Sequence, residues 1–130
     1  MADHYEVKQV IVLRSDLNYG SKGKMIAMGC HASLGPIMKL LQRDIHYDNP
    51  TNISYFDIWC KGSFAKIVCK AENIEKIYDL QKECEKRFIP YSIITDNGTT
   101  VFGVPTVVGI GIGPYASDKL NEFTGDLKLL

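Results

Sequence analysis

The sequence predicts an α/β fold: a single small mixed, mostly parallel β-sheet of about four strands, flanked by helices on both faces. Three observations lead there. Apolar runs rich in β-branched residues alternate with segments of helical periodicity, the pattern of parallel strands joined by crossover helices. The polar link between the last two strand candidates, residues 96–105, is short enough to permit an antiparallel pair. The length, 130 residues, fits one domain with one core.

Val7 to Leu13 contains Val10-Ile11-Val12-Leu13 and is followed by the turn residues Asn18-Tyr19-Gly20-Ser21, so it is expected to be a buried strand. From Gly23 to about Leu41, Met25, Ile26, Met28, Cys30, Leu34, Ile37, Met38 and Leu41 recur at helical spacing, with Gly35-Pro36 as a candidate kink. Asp44 to Ser54, with Asp48-Asn49-Pro50, is expected to be a surface loop before Tyr55 to Trp59 packs back on the core. Phe64 to Lys70 is the second strand. Asn73 caps a helix that runs through Ile74, Ile77, Leu80 and Cys84 to about Phe88. Ile89 to Thr95 and Thr106 to Ile112 are the third and fourth strands, and a short helix starts near Ser117 and ends before Gly125. The repeated glycines Gly109, Gly111 and Gly113 sit within a strand and lead to Pro114, so close backbone packing explains them better than a nucleotide loop does.

The composition, 45% hydrophobic and 23% charged, belongs to a globular chain rather than a disordered or fibrous one. Apolar stretches such as Val104 to Pro114 are too short to cross a bilayer, and the polar, acidic start from Met1 to Glu6 is unlike a signal peptide, so a cytoplasmic protein is expected. No two of Cys30, Cys60, Cys69 and Cys84 have C-x-x-C spacing; reduced core thiols are expected, with no metal site. A net charge of zero argues against a protein that coats nucleic acid nonspecifically. Between Lys8 and Arg43, however, six basic residues (Lys8, Arg14, Lys22, Lys24, Lys39 and Arg43) face only Asp16, enough for a local grip on a phosphate backbone or for an ordinary solvated lysine face.

Ligand sites in open α/β sheets lie beyond the carboxyl ends of strands, and two polar loops occupy that position. Gly20-Ser21-Lys22-Gly23-Lys24 leads into the first helix, whose free N–H groups and dipole favour an anion. It is no Walker A loop, because that motif needs glycine at Asn18 and a hydroxyl residue at Met25. Asp96-Asn97-Gly98-Thr99-Thr100 leaves the third strand and sets a carboxylate four residues before a hydroxyl, a pair able to orient water; turn capping alone also accounts for these residue types. His31 shares a helical face with Lys24 and Met28, although a lone histidine there is more often packed than catalytic.

The segments Lys8 to Leu17, Lys22-Gly23-Lys24, His31-Ala32-Ser33-Leu34, Gly62-Ser63-Phe64 and Lys66-Ile67-Val68, then Asp96, Gly98, Thr100, Thr106, Gly113-Pro114 and Thr124 to Leu130, come in an order and spacing that resembles the type-2 peptidyl-tRNA hydrolases from about Lys8 to the last residue. The resemblance implies a cofactor-free enzyme that cleaves the ester between peptide and tRNA, with peptidyl-tRNA as partner and a homodimer as a common state. It places Lys24, Asp96, Thr100 and His31 at catalytic positions, and Lys22, Gly23, Arg14, Gly98 and Thr106 at substrate-binding ones. In the expected mechanism Lys24 stabilises developing negative charge or a phosphate, Asp96 and Thr100 position the attacking water, and His31 shapes the pocket.

Departures from the family pattern bear on activity. Met28 stands where glutamine is usual, Asn97 where alanine is, Pro105 where glycine is and Val108 where a second hydroxyl commonly follows Thr106; Ser21 is inserted in the lysine loop. Loss of an amide and a hydroxyl removes hydrogen bonds worth about 0.5 to 1.5 kcal/mol each. The alternative to an active hydrolase is therefore a weakened or inactive tRNA-binding or protein-interaction module on the same fold.

Overall fold

The computed structural model describes residues 5–130; the amino-terminal reading above falls largely on residues 1–4, outside the described residues. In chain order the elements are β1 (Val7–Arg14), α1 (Lys22–Leu41), α2 (Pro50–Lys61), β2 (Lys66–Ala71), α3 (Ile74–Arg87), β3 (Tyr91–Asp96), β4 (Thr106–Ala116) and α4 (Ser117–Thr124). The strands form a mixed four-stranded sheet in the order β2-β1-β4-β3. No helix among the described residues is long and apolar enough to cross a membrane.

The mixed four-stranded sheet flanked by helices agrees with the expected α/β fold, and its pairings are now specific. Only β1 and β2 pair in parallel, whereas β4 runs antiparallel to both β1 and β3. Three of the four strands still point one way. The cause is the link of residues 97–105, too short for a crossover helix, which returns the chain directly into the middle of the sheet. The carboxyl ends of β1, β2 and β3 thus share one edge.

Alternation along β1 sends its side chains to two cores. Val10 and Val12 face α3 and α4, in a cluster with Ile77, Leu80, Cys84 and Leu120. Ile11 and Leu13 face α1, in a second cluster with Tyr19, Met28, Ala32, Ile94 and Val108. Val7, Ile37 and Trp59 join α1 and α2 on that same face. Gln9, fully buried, ties β1 to α1 by accepting from the Ser33 hydroxyl (2.6 Å) and donating to the Ser33 carbonyl (2.8 Å).

The segment expected as a loop, Asp44 to Ser54, is one only as far as Asn49; from Pro50 on it belongs to α2. Asn49 caps α2 through the Asn52 N–H (2.9 Å) and Pro50 occupies its first turn, so residues that look like turn chemistry are in fact a helix start. Asn52 is 1% exposed and donates to the carbonyls of Tyr47 and Phe88. The cysteine expectation is corrected in part: Cys69 and Cys84 are buried free thiols, but Cys30 and Cys60 are exposed, because each lies on the outer face of its helix.

The strand glycines do serve close packing. A Cβ on Gly111 would occupy the space of the Ala32 carbonyl of α1, and one on Gly109 that of the Val12 carbonyl of β1. This contact sets how deeply α1 seats on β4. Gly111→Ala is expected to lift α1 and destabilise the fold by about 1–3 kcal/mol or more, read as a lower urea midpoint at unchanged slope.

Candidate active site

α1 begins at the sheet edge where β3 ends, so the two polar loops meet. Lys24, on the first turn of α1, donates from Nζ to Asp96 Oδ1 (2.6 Å) and to Thr100 Oγ1 (2.7 Å). Side-chain exposure is 15% for Lys24 and 5% for Asp96, so this ion pair is largely removed from water. Sequence separations of 72 and 76 residues are closed by the sheet.

Asp96 uses its second oxygen as well, accepting from the Gly98 N–H (2.9 Å). Gly98 takes φ +84°, and a Cβ there would collide with the Val104 backbone, so only glycine turns the chain tightly enough to aim this N–H backward. The hydrogen bond from Lys24, then the one from Gly98, hold the Asp96 carboxyl below the ordinary carboxylate value against the opposing effect of burial; His31 adds a smaller electrostatic pull in the same direction. His31 itself is exposed, two turns along α1 from Lys24.

The remaining residues singled out in the sequence occupy distinct places. Ser21 caps α1 by accepting from the Lys24 N–H (3.1 Å), while the exposed Lys22 and Gly23 lie in the first turn, whose N–H groups have no intrahelical acceptor. Thr106 sits across the ladder from Asp96 and donates its hydroxyl to the Val104 carbonyl (2.8 Å). Arg14, at the end of β1, spans both Asp16 oxygens through Nε (3.0 Å) and Nη2 (2.8 Å) and donates from Nη1 to the Val107 carbonyl (3.0 Å). That pairing raises the Arg14 pKa and lowers the Asp16 one.

Asp16 and Tyr19 were not singled out for the site. Tyr19 is 4% exposed and donates its hydroxyl to the Arg14 carbonyl (2.8 Å); burial pushes its pKa up to about 12. The signal available beforehand was the Arg14-x-Asp16 spacing. Met28 and Val108, two of the departures, lie at 4% and 0% exposure in the same apolar cluster as Tyr19. They replace polar side chains together, so no buried amide or hydroxyl is left seeking a partner there. The six basic residues do not form one patch: Lys8 is buried and donates to Asn121, Lys39 donates to the Tyr91 carbonyl beneath the Tyr47 and Tyr91 rings, and Arg43 pairs with Asp48. Arg14, Lys22 and Lys24 alone stand at the site's end. Among the described residues no group of three or more His, Cys, Asp or Glu gathers as metal ligands would.

Because the Asp96 pKa is depressed, the stabilisation it supplies is complete above the ordinary value of 3.8 and is lost only as the pH falls through the lower folded value. Lys24→Ala removes the largest cause of the depression. The Asp96 carboxyl is then expected to titrate at higher pH, as followed by carbon-detected NMR, and the acid limb of the thermal stability profile should move up with it.

A family model described as "Peptidyl-tRNA hydrolase PTH2" matches residues 7–130. The chain is 37% identical over 124 residues to a protein of Saccharolobus islandicus (strain L.S.2.15 / Lassen #1) named "Peptidyl-tRNA hydrolase", covering 95% of this chain and 99% of the relative. Proteins of the same name from Nanoarchaeum equitans and Methanocaldococcus jannaschii are 38% and 34% identical, each over 95% of this chain and 98% and 100% of their own length. With the family model spanning nearly every described residue and relatives aligned end to end, the chain belongs to the peptidyl-tRNA hydrolase PTH2 family.

Proposed function

We propose that this chain hydrolyses the ester bond between peptide and tRNA in peptidyl-tRNA, returning tRNA to translation, with Lys24, Asp96 and Thr100 as the groups that touch the reaction. Family membership supports the substrate. The carrying observation is that one ammonium joins the carboxylate and the hydroxyl at 2.6 and 2.7 Å. An inactive binding module on this fold would have no need to keep that trio assembled.

The ammonium of Lys24 has three N–H groups, of which two are engaged by Asp96 and Thr100. The third is available to the oxygen that becomes negative when water adds to the ester carbonyl, or to the neighbouring phosphate. Thr100 accepts from Lys24, so its own O–H is released to orient water or substrate. Asp96 is held ionised with both oxygens partnered. A carboxylate so stabilised is a weak base; it fixes Lys24, accepts a hydrogen bond from the water and takes its proton only as the new oxygen–carbon bond forms, and that proton passes to the ribose oxygen as the ester carbon–oxygen bond breaks. His31 borders this space, and Thr106 lines it beside Asp96.

For the RNA part, Arg14, Lys22 and the α1 amino terminus with Gly23 form the anion-binding side. Gly98 contributes through Asp96, whose position it sets. This substrate assigns the enzyme to the cytoplasm, where translation occurs. The homodimer implied by the resemblance belongs to the same reading, and light scattering should then return twice the 14.6 kDa chain mass.

Asp96→Asn is expected to lower turnover of an N-acetylaminoacyl-tRNA on the order of 10²-fold while free aminoacyl-tRNA is spared by both proteins; hydrolysis at the native rate would refute the assignment. Binding of tRNA should weaken with salt at about 0.7 to 0.9 log units per log unit for each phosphate neutralised, so three cations give a slope of about −2 to −3. Affinity that ignores salt would remove Arg14, Lys22 and Lys24 from the interface.

A further inference from the structure

Thr100 sits on the tip of the loop between β3 and β4, and that loop closes on itself beneath the tip: a Cβ on Gly98 would collide with the Val104 backbone. Gly98 (φ +84°) and Gly103 (φ +77°) take left-handed backbone on either side of Thr100. A Cβ on Gly103 would meet nothing within 4 Å, so this glycine serves the turn rather than close packing. Among the described residues, no backbone–backbone hydrogen bond joins residues 99–103 to the sheet or the helices. Side chains must therefore fix the tip.

Thr100 accepts from Lys24, and the Val101 methyl groups lie 3.6 Å from where a Cβ on Gly20 would stand. Both contacts are at the surface, with Val101 42% exposed. Phe102 goes inward instead. It packs on the apolar cluster of Ile11, Leu13, Tyr19, Met28 and Val108, and its ring meets Tyr19 edge to face, with centroids 5.8 Å apart and planes at 75°. Tyr19 is itself fixed, buried and bonded through its hydroxyl to the Arg14 carbonyl. It lies five residues before Lys24. The aromatic pair thus joins the loop that leads to Lys24 with the loop that carries Thr100. One hydrogen bond at the surface is weak against the entropy of ordering such a tip, whereas a ring seated in a dry cluster holds it firmly. Met28 and Val108, where an amide and a hydroxyl are usual, lie in that same cluster, so packing is what the floor offers the tip.

We infer that Phe102 is a positioning residue for the reaction: its ring, set edge-on against Tyr19, holds the Thr100 hydroxyl at the Lys24 ammonium. This rests on the hydrolase reading. Phe102 acts through Thr100 and touches neither water nor ester. A ring that served the fold alone would matter equally whether or not Thr100 carried its hydroxyl, and that difference can be measured.

The experiment is a double-mutant cycle on hydrolysis of an N-acetylaminoacyl-tRNA, with the native chain, Phe102→Ala, Thr100→Ala and the two substitutions combined. Phe102→Ala is expected to lower kcat on the order of tenfold and to leave KM within about twofold. Added to Thr100→Ala it should cost less than about twofold more, because the group it positions is gone. Phe102→Leu, which keeps an apolar side chain in the cluster, should restore most of the rate. Native kcat in Phe102→Ala, or an equal loss in both backgrounds, overturns the inference. If Phe102→Ala does not fold, Phe102→Val takes its place in the cycle with the same outcomes. Amide nitrogen relaxation gives a readout apart from activity: the heteronuclear NOE at Thr100 and Val101 should fall in the alanine variant and stay native in the leucine one. Should the native chain hydrolyse nothing, the hydrolase reading fails separately, and relaxation alone then decides the clasp: a tip loosened only in Phe102→Ala supports it, and an unchanged tip rejects it.

Discussion

The ion pair between Lys24 and Asp96 is the interaction around which the carboxyl edge of the sheet is arranged. A pair this far removed from water is stable only when geometry is tight and the remaining polar atoms are satisfied, because desolvation otherwise outweighs the mutual attraction. Each requirement is met by a separate element. β1 and β3 run in the same direction on either side of β4, so the loop that follows each emerges at the same edge. α1 seats on Gly111, which sets the height of Lys24 above the sheet. The positive φ of Gly98 then aims an N–H at the carboxylate oxygen that Lys24 leaves open.

Beneath this polar edge the molecule is apolar. Met28, Val108, Tyr19 and Ile94 form the floor, and the Tyr19 hydroxyl is turned onto the Arg14 carbonyl. The substitutions of Met28 and Val108 for an amide and a hydroxyl lie in one cluster, so their effects are coupled: either polar group restored alone would face apolar neighbours. The trio of Lys24, Asp96 and Thr100 draws its hydrogen bonds from within itself and from Gly98, and does not depend on that floor for partners. Polar chemistry at the rim and dry packing below are compatible for that reason.

Much of this was legible in the order of residues, where local rules suffice. Asn73 as a cap and the spacing of Ile77, Leu80 and Cys84 specify α3, since capping and helical periodicity act within a few residues. Asp48-Asn49-Pro50 misled because the same residue types close a turn and open a helix; only the packing of Trp59 against Val7 and Ile37, far away in the chain, selects the helix. The basic run from Lys8 to Arg43 promised one patch. It dissolved because a strand alternates its side chains across the sheet, which sends Lys8 to Asn121 on the opposite face from α1.

By itself, the sequence determined most kinds of element and the candidate loops, which follow from local propensity; the residues proposed for the site within those loops came from the resemblance to the family, since turn chemistry alone accounted for the same residue types. Tertiary structure decided the rest: that β4 enters between β1 and β3, that Lys24 meets Asp96 and Thr100, that Arg14 is held by Asp16, and that one flank of α1 lies uncovered. These depend on contacts between residues tens of positions apart. Which distant groups come together is settled by the burial of whole faces at once, a global balance that no window of sequence contains.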